Sequence, residues 1–523
     1  SPGRPFTVFS LPDVSNTTTL LLSDDEETLF VGARDAILSL NISKSGSLQL
    51  NKKIDWSPTE NNVDGCTMKG TDKADCRNFV RVLQVLNSTH MFACGTFAFS
   101  PLCSYISSET FSLLASTSGK PEEGRGRCPY NPYHKNTAIT VGGELYAATV
   151  ADYRGNHPVI SRHLSEGDHV DMKQDDTLGW LEDPTFISST YIPSEEKVYF
   201  FFSELGREYE FFEKVTVSRV AQVCTSDVGG QRTLQRRWTT FTKAQLLCQA
   251  PGELPYNVLQ DITSLRPTEG DGEDDTLFYG IFGSQWSGNS GRSAVCVFSL
   301  KSIKAVFSGN YKRLDRDTLK WSSGHKWTQE KIANPGECGL HNASDNVLRF
   351  IKENFLADQS VSPDSQGPTL VSPDRRYSNI AAQSVKGAGG KKYTVLYLLT
   401  ESGFLHKVVL VGGGAHIIEE IQVLRQPQRV TSLLLSVSQG AVLVGSSEGV
   451  ASVPFSSCSH YRSCAECVLA RDPFCAWDSV RQVCALVSSI KDQAGQDVEG
   501  GTMSKECKSF NTLVSRGRSN ASP

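Results

Sequence analysis

Residues Tyr393 to Leu410 read YTVLYLLTESGFLHKVVL, two apolar runs rich in β-branched and aromatic residues joined by Thr-Glu-Ser-Gly. Apolar residues on either side of a small polar turn are the pattern of two antiparallel strands with one or both faces buried. The pattern recurs in Ala441–Pro454 (AVLVGSSEGVASVP), Leu29–Leu40 (LFVGARDAILSL), Met91–Ile106, Leu145–Arg162, Val198–Cys224 and Leu277–Leu300, making seven hairpins. Most begin roughly 45 to 80 residues apart, the length of a four-stranded propeller blade with its loops. The reading is an all-β, seven-bladed β-propeller, whose radial sheets leave only short edges. One interval breaks the spacing. More than a hundred residues lie between Leu277 and Tyr393, and they include Ser302–Phe307 and Asp345–Leu356, where Val347, Leu348, Ile351 and Phe355 are spaced as on a helix. This interval reads as an insertion into one blade.

Composition supports a folded chain with a protein or sugar partner. Of 523 residues, 39% are apolar, 9% aromatic and 21% charged, enough for a core almost throughout. The formal charge is −5 and the Lys and Arg residues are scattered, which excludes a visible nucleic-acid footprint. Fifteen cysteines accompany Asn-x-Ser/Thr sequons at Asn16, Asn41, Asn87, Asn342 and Asn520, the combination expected of a chain folded in the oxidising secretory route and carrying N-linked glycans. No apolar run reaches the roughly 18 residues of a membrane span, so the expectation is a mature or trimmed ectodomain. Near Ser456 the composition changes: Cys458, Cys464, Cys467, Cys475, Cys484 and Cys507 crowd into a stretch too small to be stable on its apolar core. The expected division is a propeller over 1–455, a cysteine-rich module over 456–508 and a disordered polar tail over 509–523.

Nine cysteines remain. Cys66 with Cys76 and Cys94 with Cys103 are near enough to close short loops, while spacing leaves the pairing of Cys224, Cys248, Cys296 and Cys338 open. Cys128 is the candidate free thiol. Cys464-Ala-Glu-Cys467 has redox spacing, but six cysteines in an oxidised compartment favour bridges over a thiolate or zinc cluster. Gly445-Ser446-Ser447-Glu448-Gly449 fits a nucleophile elbow only if a helix follows, and both flanks read as strands. The acidic stretch Glu269–Asp275 lacks the ligand order of a calcium loop, and no histidine pair has metal spacing. No catalytic constellation, cofactor motif or small-molecule substrate site emerges.

Particular words then carry a resemblance. Gly126-Arg127-Cys128-Pro129, Tyr199–Glu204 (YFFFSE), Arg237–Cys248 (RWTTFTKAQLLC), Asn257–Asp261 (NVLQD) and Cys467–Trp477 (CVLARDPFCAW) resemble semaphorins, in the same order and over nearly the whole chain. The likeness is to class 4, the membrane-anchored branch. It implies a sema domain with an insertion in its fifth blade, then a PSI module. It also implies bridges Cys66–Cys76, Cys94–Cys103, Cys224–Cys338, Cys248–Cys296, Cys458–Cys475, Cys464–Cys507 and Cys467–Cys484, with Cys128 free.

The resemblance further implies a function. Such a ligand meets a plexin receptor, a B-type plexin for this class, through the edge of the third and fourth blades, which here draws on Lys173–Gly179, the helix end near Lys352, and Pro368–Arg376. The contact residues expected are Gln174, Asp175, Lys352 and Asp374. A two-fold homodimer using the blade-five insertion would hold two receptors together and control guidance, adhesion or migration. An immunoglobulin-like domain and a single membrane anchor are the expected continuation. The alternatives are a receptor fragment of plexin or Met-like type, a secreted propeller glycosidase, for which the hairpins gather no carboxylates, and a passive adhesion module.

Overall fold

The computed structural model describes residues 3–115, 122–209, 214–267, 272–286, 291–315, 317–323, 332–412 and 414–507. Each of the seven hairpins forms the two central strands of a separate antiparallel sheet. Blade one comprises Thr19–Leu22, Thr28–Ala33, Ala36–Ile42 and Leu48–Asp55; blade two Val80–Val85, His90–Gly95 and Leu102–Ser107, edged by Ser112–Leu114 and Glu122–Glu123. Blade three runs through Thr137–Val141, Glu144–Val150, Pro158–His163 and Met172–Lys173, and blade four through Thr185–Ile192, Lys197–Leu205, Thr216–Cys224 and Thr242–Leu246. Blade five has Val258–Leu265, Leu277–Gly283, Ser293–Ser299 and Leu370–Ser372; blade six Tyr377–Lys386, Lys392–Thr400, Phe404–Val411 and Gly414–Gln422. Blade seven is completed from the other end of the chain: Val430–Ser436, Ala441–Ser446 and Gly449–Pro454 are joined by Thr7–Phe9, which pairs Thr7 with Ser452 and Phe9 with Val450. The first strands touch one another in a closed circle, blade seven meeting blade one.

Seven apolar layers fill the spaces between neighbouring blades, one layer per junction. Val198–Phe202 shows how a strand serves two layers at once. Alternate side chains point to opposite faces, so Val198, Phe200 and Phe202 enter the layer with blade three while Tyr199 and Phe201 enter that with blade five. A continuous apolar run is what a blade covered on both faces requires. Gly445 to Gly449 is the hairpin turn of blade seven, with Ser446 paired to Gly449.

Among the described residues of the propeller, three α-helices stand outside the sheets: α1 (Glu60–Met68), and α2 (Leu300–Phe307) and α3 (Asp345–Glu353), both in the insertion between the third and fourth strands of blade five. Bridges Cys224–Cys338 and Cys248–Cys296 fasten the insertion and blade five to blade four; Cys66–Cys76 and Cys94–Cys103 close local loops. The small module after blade seven carries Cys458–Cys475, Cys464–Cys507 and Cys467–Cys484, so the two cysteines of the redox-spaced pair have different partners. It rests on blade six: Gln496 accepts from the Ala388 amide at 2.8 Å, and buried Lys407 donates to Asp472 of the module at 2.6 Å. The expected tail 509–523, with Asn520, lies outside the described residues.

Cys128 is the free thiol, buried beside the Cys94–Cys103 bridge in the layer between blades two and three, and it donates to the Gly95 carbonyl at 3.3 Å. Burial pushes the thiol up to about 12, so almost no thiolate exists near neutral pH. The native chain is expected to resist a disulfide thiol reagent at pH 8 and to release one equivalent of chromophore in denaturant. Rapid labelling without denaturant would show that the layer opens readily.

Candidate partner-binding site

The outer strand of blade three ends at Lys173, and Gln174 extends its pairing with a side chain. Its Oε1 accepts from the Ile160 amide and its Nε2 donates to the Pro158 carbonyl, both at 2.7 Å, while its own amide donates to the Ile160 carbonyl. Gln174 is therefore buried with its amide group occupied by its own blade, an anchor for the loop that follows. Asp175 starts that loop. Its Oδ2 accepts from the Thr177 amide at 3.0 Å and from the Thr177 hydroxyl, a local turn that an aspartate makes readily.

The same carboxylate meets Lys352 Nζ at 3.5 Å, although 177 positions separate the two residues in the chain. Lys352 stands in the last turn of α3, where a cation suits the carbonyl end of the helix. Ser344 caps the first turn, and Leu348 and Ile351 bury the helix against the propeller, which leaves the Lys352 side chain 33% exposed. Behind the pair, Trp180 donates from Nε1 to the Lys352 carbonyl at 3.1 Å and packs against Phe241 and Phe355. Leu178, at the tip of the loop, is 49% exposed. With Leu314, Lys352 and Phe355 it borders a shallow cavity of about 300 Å³. An exposed leucine between charges was missed in the sequence; an apolar residue inside the polar run Lys173–Gly179 was the available signal.

A charged network under the loop sets its position. Lys243 Nζ donates to the Gly179 and Trp180 carbonyls at 2.6 and 3.0 Å and to Glu204 Oε1 at 2.5 Å. The other oxygen of Glu204 accepts from the Glu182 amide, and Arg219 joins Glu204 to Glu208. Burial pulls the Lys243 ammonium below its ordinary value against the attraction of Glu204. Burial would raise the Glu208 carboxyl, but the adjoining Arg219 guanidinium prevails and holds it low. Two cations and two carboxylates thus balance inside blade four while holding the loop at Gly179, Trp180 and Glu182.

Asp374 is exposed, in the connection from blade five to blade six, two blade junctions from Asp175. Its neighbour Arg375 pairs with Glu420 and lies 3.1 Å from His406 Nε2; His406 Nδ1 meets the Tyr377 hydroxyl at 2.8 Å. The structure brings Asp175 and Lys352 together and leaves Asp374 on a separate junction. Asn41, Asn87 and Asn342 are exposed, whereas Asn16 is half-buried between blades seven and one, with the hydroxyl of its sequon threonine, Thr18, donating to the Gly32 carbonyl. Among the described residues no cluster of three or more His, Cys, Asp or Glu is arranged to hold a metal ion, and no helix is long and apolar enough to cross a membrane.

Comparison with known proteins gives these features a family. Residues 259–437 match the Sema domain family and residues 457–508 the Plexin repeat family. Human Semaphorin-4B is 42% identical over 98% of this chain, and bovine Semaphorin-4A 43% identical over 97%. The chain spans 63% and 66% of the length of those two relatives. A chain of Drosophila Plexin A in complex with Semaphorin 1b superposes with a TM-score of 0.84 at 27% identity, covering 97% of this chain and 99% of that one. Drosophila Semaphorin 2a also gives 0.84 at 27% identity, over 96% and 83% of the two chains. The Plexin A4 extracellular region shares the fold alone, with a TM-score of 0.67 at 18% identity over 93% of this chain and 50% of that one. A seven-bladed ring with a blade-five insertion and a disulfide-stapled module on blade six defines a sema-domain protein. The chain belongs to the semaphorin family, with class 4 members among its relatives.

Proposed function

We propose that this chain is the extracellular ligand portion of a single-pass membrane semaphorin, that it acts by binding a plexin rather than by catalysis, and that the plexin is of the B type. The observation that carries the reading is the Asp175–Lys352 pair beside exposed Leu178 on a loop held from below by buried charges. An apolar anchor ringed by polar groups, on a pre-ordered loop, is how protein interfaces concentrate binding energy. The complex of Drosophila Plexin A with Semaphorin 1b supports the choice of receptor. Asp175, Lys352 and Leu178 make the contact, Gln174 holds their loop, and Asp374 touches a more distant part of the same partner. N-linked glycans occupy the sequon asparagines. Two copies associate through the blade-five insertion and hold two receptors near each other, so a modest single contact suffices to start guidance, adhesion or migration signalling.

Surface-based binding of the purified chain to a panel of plexin ectodomains tests this reading. Lys352→Glu places like charges side by side, and Leu178→Asp removes the anchor; each is expected to weaken binding about tenfold or more, the equivalent of about 1.4 kcal/mol. Elution and melting should stay as in the parent. No binding to any plexin would favour the adhesion or receptor-fragment alternatives, and binding indifferent to both variants would move the site elsewhere.

A further inference from the structure

The propeller axis holds a second, chemically distinct cavity of about 460 Å³, lined by the first strands of all seven blades. Its wall is divided by charge. Arg81 from blade two, Lys135 just before blade three and Arg429 just before blade seven stand on one side; Asp261 from blade five and Glu401 from the turn in blade six stand on the other. Arg81 donates to the Pro132 carbonyl at 2.6 Å, but among the described residues no hydrogen bond or ion pair engages the side chains of Lys135, Arg429 or Glu401. The two acids are not equivalent. Asp261 already accepts from the Ile262 and Ile380 amides at 2.9 Å each, and burial pushes its carboxyl up to about 6. Burial and the adjacent Arg429 also pull Lys135 below its ordinary value and Arg81 down to about 10.

Three cations thus share a half-enclosed space with two carboxylates, of which Glu401 has no hydrogen-bond or ion-pair partner among the described residues. Low-dielectric walls focus such a field, and like charges this close repel until an anion sits between them. Thr18, Asn136 and Thr431 add neutral polar groups to the lining.

We propose that the axial cavity binds a tetrahedral oxyanion of the sulfate type, held by Lys135 and Arg429 with Arg81 behind them. The site lies on the propeller axis and does not depend on the plexin reading. The anion arrives either as the free ion or as a sulfate group on a glycosaminoglycan, which share the chemistry that three cations recognise.

Calorimetric titration of the whole chain with sodium sulfate is the test, against sodium chloride at equal ionic strength. One saturable sulfate site per chain is expected, weakened about tenfold or more in a Lys135→Met, Arg429→Gln double variant. Both residues line the open cavity and, among the described residues, their side chains make no hydrogen bond, so the variant should fold. Glu401→Gln supplies a readout that misfolding cannot imitate, because loss of the opposing carboxylate should tighten sulfate about threefold. Competition by a sulfated but not a desulfated heparin disaccharide assigns the group to a sugar chain; binding of the inorganic ion alone assigns it to free sulfate. A sulfate response no larger than that of chloride, a double variant that binds like the parent, or a Glu401→Gln variant that binds no tighter would overturn the proposal.

Discussion

Replacing Lys243 with methionine is expected to lower stability by about 3–5 kcal/mol, the cost of leaving a buried charge without its partner. Lys243, Glu204, Arg219 and Glu208 have side chains 0–7% exposed. With the lysine gone the three remaining groups carry a net charge of −1, and Glu204 keeps only Arg219 and one backbone amide. The Gly179 and Trp180 carbonyls lose their donor at the same time. Because those carbonyls belong to the loop that carries Asp175 and Leu178, the proposed plexin binding should fall more than in any surface variant, together with secreted yield. Adding Glu204→Gln restores neutrality. The double variant should therefore be more stable than the sum of the two single losses, a coupling that a double-mutant cycle of thermal or denaturant midpoints measures directly. A Lys243→Met protein melting with the parent would mean that water reaches the network and that loop position is set by Trp180 packing instead.

Lys243 also marks where sequence reading stops. It lies in the word RWTTFTKAQLLC, and Glu204 closes YFFFSE, yet nothing in either word says that the two residues touch. The central hairpins were legible because both of their faces are buried and the apolar run is continuous. The outermost strands of blades two, three, five and seven were not: Glu122–Glu123, Met172–Lys173, Leu370–Ser372 and Thr7–Phe9 are two or three residues long, and no periodicity can be read over so few positions. The closure of blade seven by the N-terminal strand was hidden for the same reason. At the candidate site, proximity of loop and helix end came through the resemblance, whereas the ion pair between Asp175 and Lys352 is a tertiary fact. Gln174 reads as an exposed polar residue in the sequence; in the fold, its amide replaces the next rung of a short strand.

The second large effect belongs to the junction between propeller and small module. Asp472 of the module accepts from Lys407 of blade six at 2.6 Å; Glu419 of the same blade lies 4.0 Å from Lys407 and accepts from Arg4 Nε at 3.0 Å. Arg4 donates in turn to the Pro454 carbonyl at the end of blade seven. All four side chains are at most 4% exposed, and their charges cancel. Around them Phe474 lies under the Lys407 ammonium at 4.6 Å and packs against Phe455, which stacks on Tyr397. Asp472→Ala leaves Lys407 with a more distant carboxylate and a net buried charge of +1, so it should cost about 3–5 kcal/mol at this one interface. The three bridges still hold the module together, and the propeller keeps its seven layers. The loss should therefore appear as uncoupling: calorimetry is expected to split one melting transition into two, and limited proteolysis to cut near Ser456 and Ser457, between Phe455 and Cys458. Pairing Asp472→Ala with Lys407→Met should restore much of the coupling, since Arg4 and Glu419 then remain as a neutral pair. If Asp472→Ala still melts in one transition and resists cleavage, the aromatic contacts of Phe455 and Phe474 hold the module, and the charges contribute its orientation alone.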